Sequence, residues 1–189
     1  DFYILKNQLE SSIWYSQSFK SHEWDPSDYN VAGVFGVILN TDYKAKDERL
    51  RTIYRRMENI PAYYRAAQSN LKTPTIPHTE LAIQQNKGAI GLFDKSIANA
   101  VAESGLSDEE KLSFTTRNNA AIDAINNYVS FLESKLSELK EKGGARDFRI
   151  GKALYDEKFK YDIFSGYSAQ ELYEKAKQEK ERVHQESIK

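Results

Sequence analysis

Histidines and carboxylates are the groups in this 189-residue chain that could hold a metal or move a proton. There are three histidines: His22, His78 and His184. A helix-borne zinc peptidase site needs two histidines four residues apart with a glutamate after the first. Both imidazoles then reach the metal from one face, and the glutamate activates the bound water. His22-Glu23 opens that pattern, but position 26 is Pro, so the second ligand is missing. His184 lies among Lys180, Glu181 and Glu186, which reads as a charged helix surface. There is no cysteine, which removes a thiolate nucleophile, a Cys-bound zinc and any disulfide. Neither a Gly-x-Ser-x-Gly elbow nor a phosphate-cradling glycine loop occurs. The acidic run Asp108-Glu109-Glu110 stands at an expected helix N-terminus, where the dipole favours negative charge. No residue is therefore assigned a catalytic, cofactor-binding or metal-ligating role.

Charge narrows the partners. The chain carries 27 basic and 28 acidic residues. Its densest basic group, Arg49, Arg51, Arg55 and Arg56, is flanked by Asp47, Glu48 and Glu58. Binding nucleic acid through phosphates needs a concentrated positive field, so no nucleic-acid partner is expected. The longest apolar run, Val31 to Leu39, is far short of the ~20 residues that span a bilayer, so no transmembrane segment is expected. The chain opens on Asp1 without Met or a signal-like stretch, and the expectation is a processed or artificial start.

The elements that would position any site read as helices throughout. The expected fold is all-α: a single domain over residues 1–189 with about seven or eight helices, a long antiparallel hairpin and no significant sheet. Leu5, Leu9 and Ile13 recur at i+4 and predict a helix from Asp1 to His22 with that stripe inward. Asp25-Pro26 starts a second helix, Ser27 to about Asn40, apolar nearly all round and so expected to be buried. Gly33 and Gly36 there, and Gly88 and Gly91 later, are read as points of close helix approach. Each mid-helix glycine costs about 1 kcal/mol against Ala, which a tight crossing would offset. Leu50, Ile53, Tyr54 and Met57 mark the next helix, which either ends or kinks before Pro61.

Lys72 to His78 reads as a loop, and Pro77 opens a helix running to about Glu103. Gly105 is read as its C-terminal cap. Ser107 and Glu110 form a capping box for the longest helix, about Asp108 to Lys142. Its Ile122, Ile125, Val129, Leu132, Leu136 and Leu139 make a coiled-coil-like seam that extends back to Asn118 and Thr115. These two polar positions either set register or face a cleft. Residues 151–162 are read as helical with Leu154, Tyr155 and Phe159 inward. A second capping box, Ser168 with Glu171, starts a charged final helix whose inward candidates are Leu172, Ala176, Val183 and Ile188. Because that pattern reaches Lys189 uncapped, the reading is a helix truncated there or partnered elsewhere.

One resemblance adds to this. The run DFRIGKALYDEKF from Asp147 to Phe159 is similar to bacterial proteins called domain-of-unknown-function family 885. So is YSAQELYEKA from Tyr167 to Ala176, continuing into Glu181-Arg182-Val183-His184. Arg49-Leu50, Ile60-Pro61 and Asn70-Leu71-Lys72 agree in order and spacing, so the resemblance runs from about Ser27 to the C-terminus. It implies a relationship to zincin-like zinc metallopeptidases whose His-Glu-x-x-His motif lies downstream of the part matched here. This chain would then be the N-terminal helical part without the residues that cut, and a fragment of a larger protein. No cofactor is expected in it, while zinc is possible in the parent. The implied partners are the rest of its own polypeptide and, in the parent, a peptide substrate. The tyrosines at Tyr63, Tyr64 and Tyr155 either line a peptide channel or simply pack. The expected compartment is the bacterial cell envelope or periplasm in preference to the cytoplasm. The rival reading is a self-contained helical interaction or scaffold module.

Overall fold

Caps and prolines set the element boundaries. In the computed structural model, which describes residues 1–187, helix α1 (Phe2–Trp14) runs into a π-helical turn, Tyr15–Phe19. Lys20 ends that turn in the left-handed region, φ 50°. The Asp25 carboxylate accepts from the Ser27 N–H and opens a 3-10 turn, Pro26–Asp28. Helices α2 (Ala32–Asn40), α3 (Lys46–Met57) and α4 (Ile60–Asn70) follow. α3 and α4 are separate, because Pro61 has no N–H and sits in the first turn of α4, where no intrahelical donor is required. Thr75 caps α5 (Ile76–Gly91), and a π-helical turn, Leu92–Ile97, joins it to α6 (Ala98–Ala102).

A complete capping box of Ser107 and Glu110 opens α7 (Asp108–Lys142), 35 residues long. α8 (Lys152–Ile163) and α9 (Ala169–Ser187) close the described chain. At the start of α9 the Ser168 N–H donates to Glu171 and the Glu171 N–H to Ser168, the second capping box. The fold is all-α, with no strand among the described residues.

The chain forms two compact units. The larger spans residues 21–148, and the smaller joins residues 1–20 to those from 149 onward. In the larger, α5 and α7 pair antiparallel. Lys87 reaches Glu133 at 2.6 Å, Lys140 reaches Glu80 at 2.7 Å, and the Asn118 amide donates to the Phe93 carbonyl at 3.1 Å. Ile125, Val129, Leu132 and Leu139 of the α7 seam are buried, and Ile122 and Leu136 pack at its edge. Ile125, Val129 and Leu132 meet Leu50 and Ile53 of α3, Tyr64 and Ala67 of α4, and Phe93 and Ile97 of the π-turn in one core. Each fully buried side chain of this size contributes about 1.5–3 kcal/mol.

A polar network threads that core. The Tyr64 hydroxyl donates to Asn86 Oδ1 at 2.6 Å, and Asn86 Nδ2 donates to the carbonyls of Ala82 at 2.9 Å and Tyr29 at 3.2 Å. Burial pushes the Tyr64 phenol far above its ordinary range, which keeps it a donor.

In the smaller unit α1 packs on α8. Asn7 donates to the Tyr161 carbonyl at 3.0 Å, Trp14 Nε1 to Glu157 at 2.8 Å, and the Tyr15 hydroxyl to Asp162 at 2.6 Å. Burial alone would raise the Asp162 carboxyl, but hydrogen bonds from Lys158 and Tyr15 outweigh it and hold the group below its usual value.

Several expectations are corrected. The Leu5, Leu9, Ile13 stripe faces solvent, not the core, because α1 uses its Asn7 and Trp14 side against α8. The second helix begins at Ala32 and buries only Phe35 and Ile38; Val34 and Val37 are exposed. No neighbouring atom lies within 4 Å of a Cβ built on Gly33, Gly36, Gly88 or Gly91, so these glycines mark no close crossing here. Gly105 is not a left-handed cap. A Cβ there would come within 2.7 Å of the Asp47 carboxylate, which accepts the Gly105 N–H at 3.3 Å.

Along the C-terminal helices, Leu154 and Phe159 are half-buried and Tyr155 is exposed. Leu172, Ala176 and Val183 are exposed as well. Ile188 lies outside the described residues.

Two substitutions test the core. Ile125→Asp puts a carboxylate at a position with no exposure and should abolish the cooperative thermal transition of the larger unit. Asn86→Leu keeps the branched outline of the side chain but leaves the Tyr64 O–H and the Tyr29 carbonyl without their Asn86 partners. Urea denaturation should show a loss of about 2–3 kcal/mol, and a loss below about 0.5 kcal/mol would mean the network does not support the fold.

Candidate functional site

Two connections in the larger unit bring polar groups together that the sequence keeps far apart. The loop before α5 is docked onto residues 21–26. The Lys72 and Thr73 N–H groups donate to the Glu23 carbonyl at 2.8 and 3.2 Å, and the Thr75 N–H donates to the Trp24 carbonyl at 3.2 Å. Lys72 Nζ adds an ion pair to Glu23 at 2.7 Å. This docking places Thr75 Oγ1 2.6 Å from His78 Nδ1 and His78 Nε2 3.6 Å from the Asp25 carboxylate.

Hydroxyl, imidazole and carboxylate in that order are the parts of a nucleophilic triad. Their surroundings give them other work. Thr75 is fully buried, so no substrate carbonyl has a path to it, and its Oγ1 accepts the His78 backbone N–H as the α5 cap. The Asp25 carboxylate accepts from both the backbone N–H and the hydroxyl of Ser27. The trio is a brace between loops. Sequence reading missed it because Asp25 and His78 share no local motif.

The metal question has a similar answer. His22 lies 4.0 Å from Glu23, His78 belongs to the brace, and His184 stands on exposed α9 in the other unit. Among the described residues no group of three His, Cys, Asp or Glu side chains is placed to hold a metal ion. A zinc site needs at least three protein ligands on one centre. One imidazole beside one carboxylate falls short, so His22, His78 and their neighbours do not fit a zinc ion.

The basic group is dispersed into separate tasks. Arg49 is buried and donates to the Leu39 and Lys44 carbonyls and to Asp42 at 2.8 Å. Arg51 makes a two-pronged bond to Glu110, at 2.7 and 3.3 Å. Arg56 borders a groove between α2 and α4 with Val34, Phe35 and Tyr63. A second groove, of about 350 Å³, lies between α3 and α7 and is lined by Arg51, Tyr54, Arg55 and Glu110.

Of the tyrosines singled out by sequence, Tyr64 packs against Tyr128 with ring centroids 4.8 Å apart, inside the core. Tyr63 is 37% exposed at the α2–α4 groove. Tyr155 is exposed in the smaller unit. Asn118, from the polar end of the α7 seam, is buried with its amide nitrogen on the Phe93 carbonyl, while Thr115 is exposed.

What the fold defines is an all-α helical protein with surface grooves and a polar-braced core. The chain belongs to the family described as Bacterial protein of unknown function (DUF885), which matches residues 1–189. It is also similar to a solved structure from Shewanella oneidensis, described as "a putative lipoprotein of unknown function". The two share 50% sequence identity with a TM-score of 0.90, over 97% of this chain and 33% of that one. The chain thus spans about a third of the length of that relative. No curated protein matches it. No described helix is long and apolar enough to cross a membrane.

The Arg51–Glu110 contact gives this region a measurable titration. The hydrogen bond from Arg51, helped by the Ser107 N–H, lowers the Glu110 carboxyl from 4.5 to about 2. A depressed folded-state pKa means the contact's stabilisation is complete above about pH 4.5 and is lost as pH falls toward 2. Arg51→Met should move the Glu110 midpoint up toward its ordinary value in an NMR titration. An unmoved midpoint would exclude Arg51 as the cause.

Proposed function

We propose that this chain is the noncatalytic helical region of a longer, zinc-peptidase-like protein of the bacterial cell envelope, forming one wall of a peptide cleft. Proportion carries the reading: 97% of this chain matches only 33% of a relative that shares half its residues. The zinc and the residues that cut would belong to the remainder, because the histidines and carboxylates here do not assemble a ligand set. The α2–α4 groove supports a wall. Exposed Val34 and half-exposed Tyr63 give it apolar and amphipathic contact area, and Arg56 and Asn59 give it polar ends. The relative's description as a lipoprotein favours the envelope.

A self-contained interaction module is the second reading. It is favoured by the larger unit's own closed core, in which Leu50, Ile53, Phe93 and Leu132 have no exposure.

Metal analysis and peptide hydrolysis, run on both this chain and the longer natural polypeptide, separate the two. The proposal expects about one zinc ion per longer polypeptide and peptide cleavage that is lost on chelation, with neither property in the 189-residue chain. A longer protein without zinc or cleavage overturns it. So does a stop codon soon after Lys189, which leaves the interaction module.

A further inference from the structure

Helix α1 carries an apolar stripe that nothing among the described residues covers. Phe2, Leu5, Leu9 and Ile13 follow at steps of three, four and four, which places them on one helix face. They are 71%, 57%, 58% and 55% exposed. Asn7 and Trp14 lie on the opposite side, where they bond the Tyr161 carbonyl and Glu157 of α8. α1 is therefore held to its own unit by hydrogen bonds and aromatic contact while its hydrophobic stripe points to water. Single exposed leucines need no explanation. Four large apolar side chains in line along roughly 16 Å of helix form a patch of the kind that marks an interaction surface.

We propose that this stripe is the docking surface for the apolar face of a helix contributed by the remainder of a longer polypeptide. The inference rests on the reading that this chain is part of one. The occupant follows from length, since two-thirds of the solved relative lies outside the part this chain matches and must bury its own apolar surface somewhere. The shape suits a helix, because Leu5, Leu9 and Ile13 make an i, i+4, i+8 ridge, the row that seats in the groove of a neighbouring helix. A lipid surface fits less well. The polar side of α1 offers Asp1 and a Lys6–Glu10 ion pair at 3.0 Å, whereas helices that lie on membranes carry an excess of Lys and Arg there.

The absence of cysteine makes the test direct. Leu9→Cys is the sole thiol of the 189-residue chain, and its maleimide labelling rate reports exposure. In the longer natural polypeptide the same substitution should label at least about tenfold more slowly, with modification at position 9 read by peptide mass spectrometry. Equal rates in the two proteins overturn the proposal. Slow labelling of the short chain that recovers on dilution assigns the stripe to a second copy and overturns it. Protection only with anionic phospholipid vesicles assigns it to a membrane and overturns it too. As a second readout, Leu9→Asp should leave the melting temperature of the short chain unchanged and lower that of the longer protein. Zinc content measured on the same preparations keeps the two readings apart. A protected thiol without zinc retains the docking surface and removes the peptidase reading.

Discussion

The buried side of α7 is the constraint around which the larger unit is arranged. A 35-residue helix is stable in water only where its apolar stripe is covered, and the stripe here is matched by α4 on one flank and α5 on the other. Once Ile125, Val129 and Leu132 are buried, the polar groups beneath them must find partners. Asn86 meets that demand. Its amide accepts from Tyr64 and donates back to the Ala82 and Tyr29 carbonyls, tying α4, α5 and the segment before α2 together. The Tyr128 hydroxyl, donating to the Pro26 carbonyl at 3.3 Å, repeats the device at the next level of the bundle.

This economy explains why residues with chemical potential do structural work. Thr75 is fully buried and caps α5, and the partly exposed His78 and Asp25 are engaged by Thr75 and Ser27. Arg49 could present a charge to a ligand, yet it is turned inward to close the connection between α2 and α3 through the Ile38, Leu39 and Lys44 carbonyls and Asp42. The chain spends its polar side chains on joining helices.

The two units differ in how they are held. The larger has a continuous apolar core. Among the described residues the smaller has only Trp14 and Phe19 as buried large side chains, and it relies on indole, phenol and carboxylate contacts of α1 and its π-turn with α8. Few buried apolar contacts mean low local stability. A helical unit of this kind keeps its amphipathic faces available to other elements, and the outward stripe of α1 has that character.

Sequence alone determined the helical class, both capping boxes and the α7 seam; it drew the loop as residues 72–78, where α5 in fact begins at Ile76, and it left open whether the helix ends or kinks before Pro61. These depend on local chemistry: a proline without a donor, a serine and glutamate three residues apart, an apolar period near 3.5 residues. It also carried the resemblance to the family that matches residues 1–189. Tertiary structure decided which face of each amphipathic helix is covered. Periodicity shows that Leu5, Leu9 and Ile13 share a face and that α2 is apolar all round, but it carries no information about whether a partner exists on that side. The same holds for Gly88 and Gly91, whose open surroundings no local pattern reveals. The Thr75–His78–Asp25 brace and the Arg51–Glu110 pair were invisible in sequence because long-range pairing follows from packing, which brings residues about 50 or more positions apart into hydrogen-bond range.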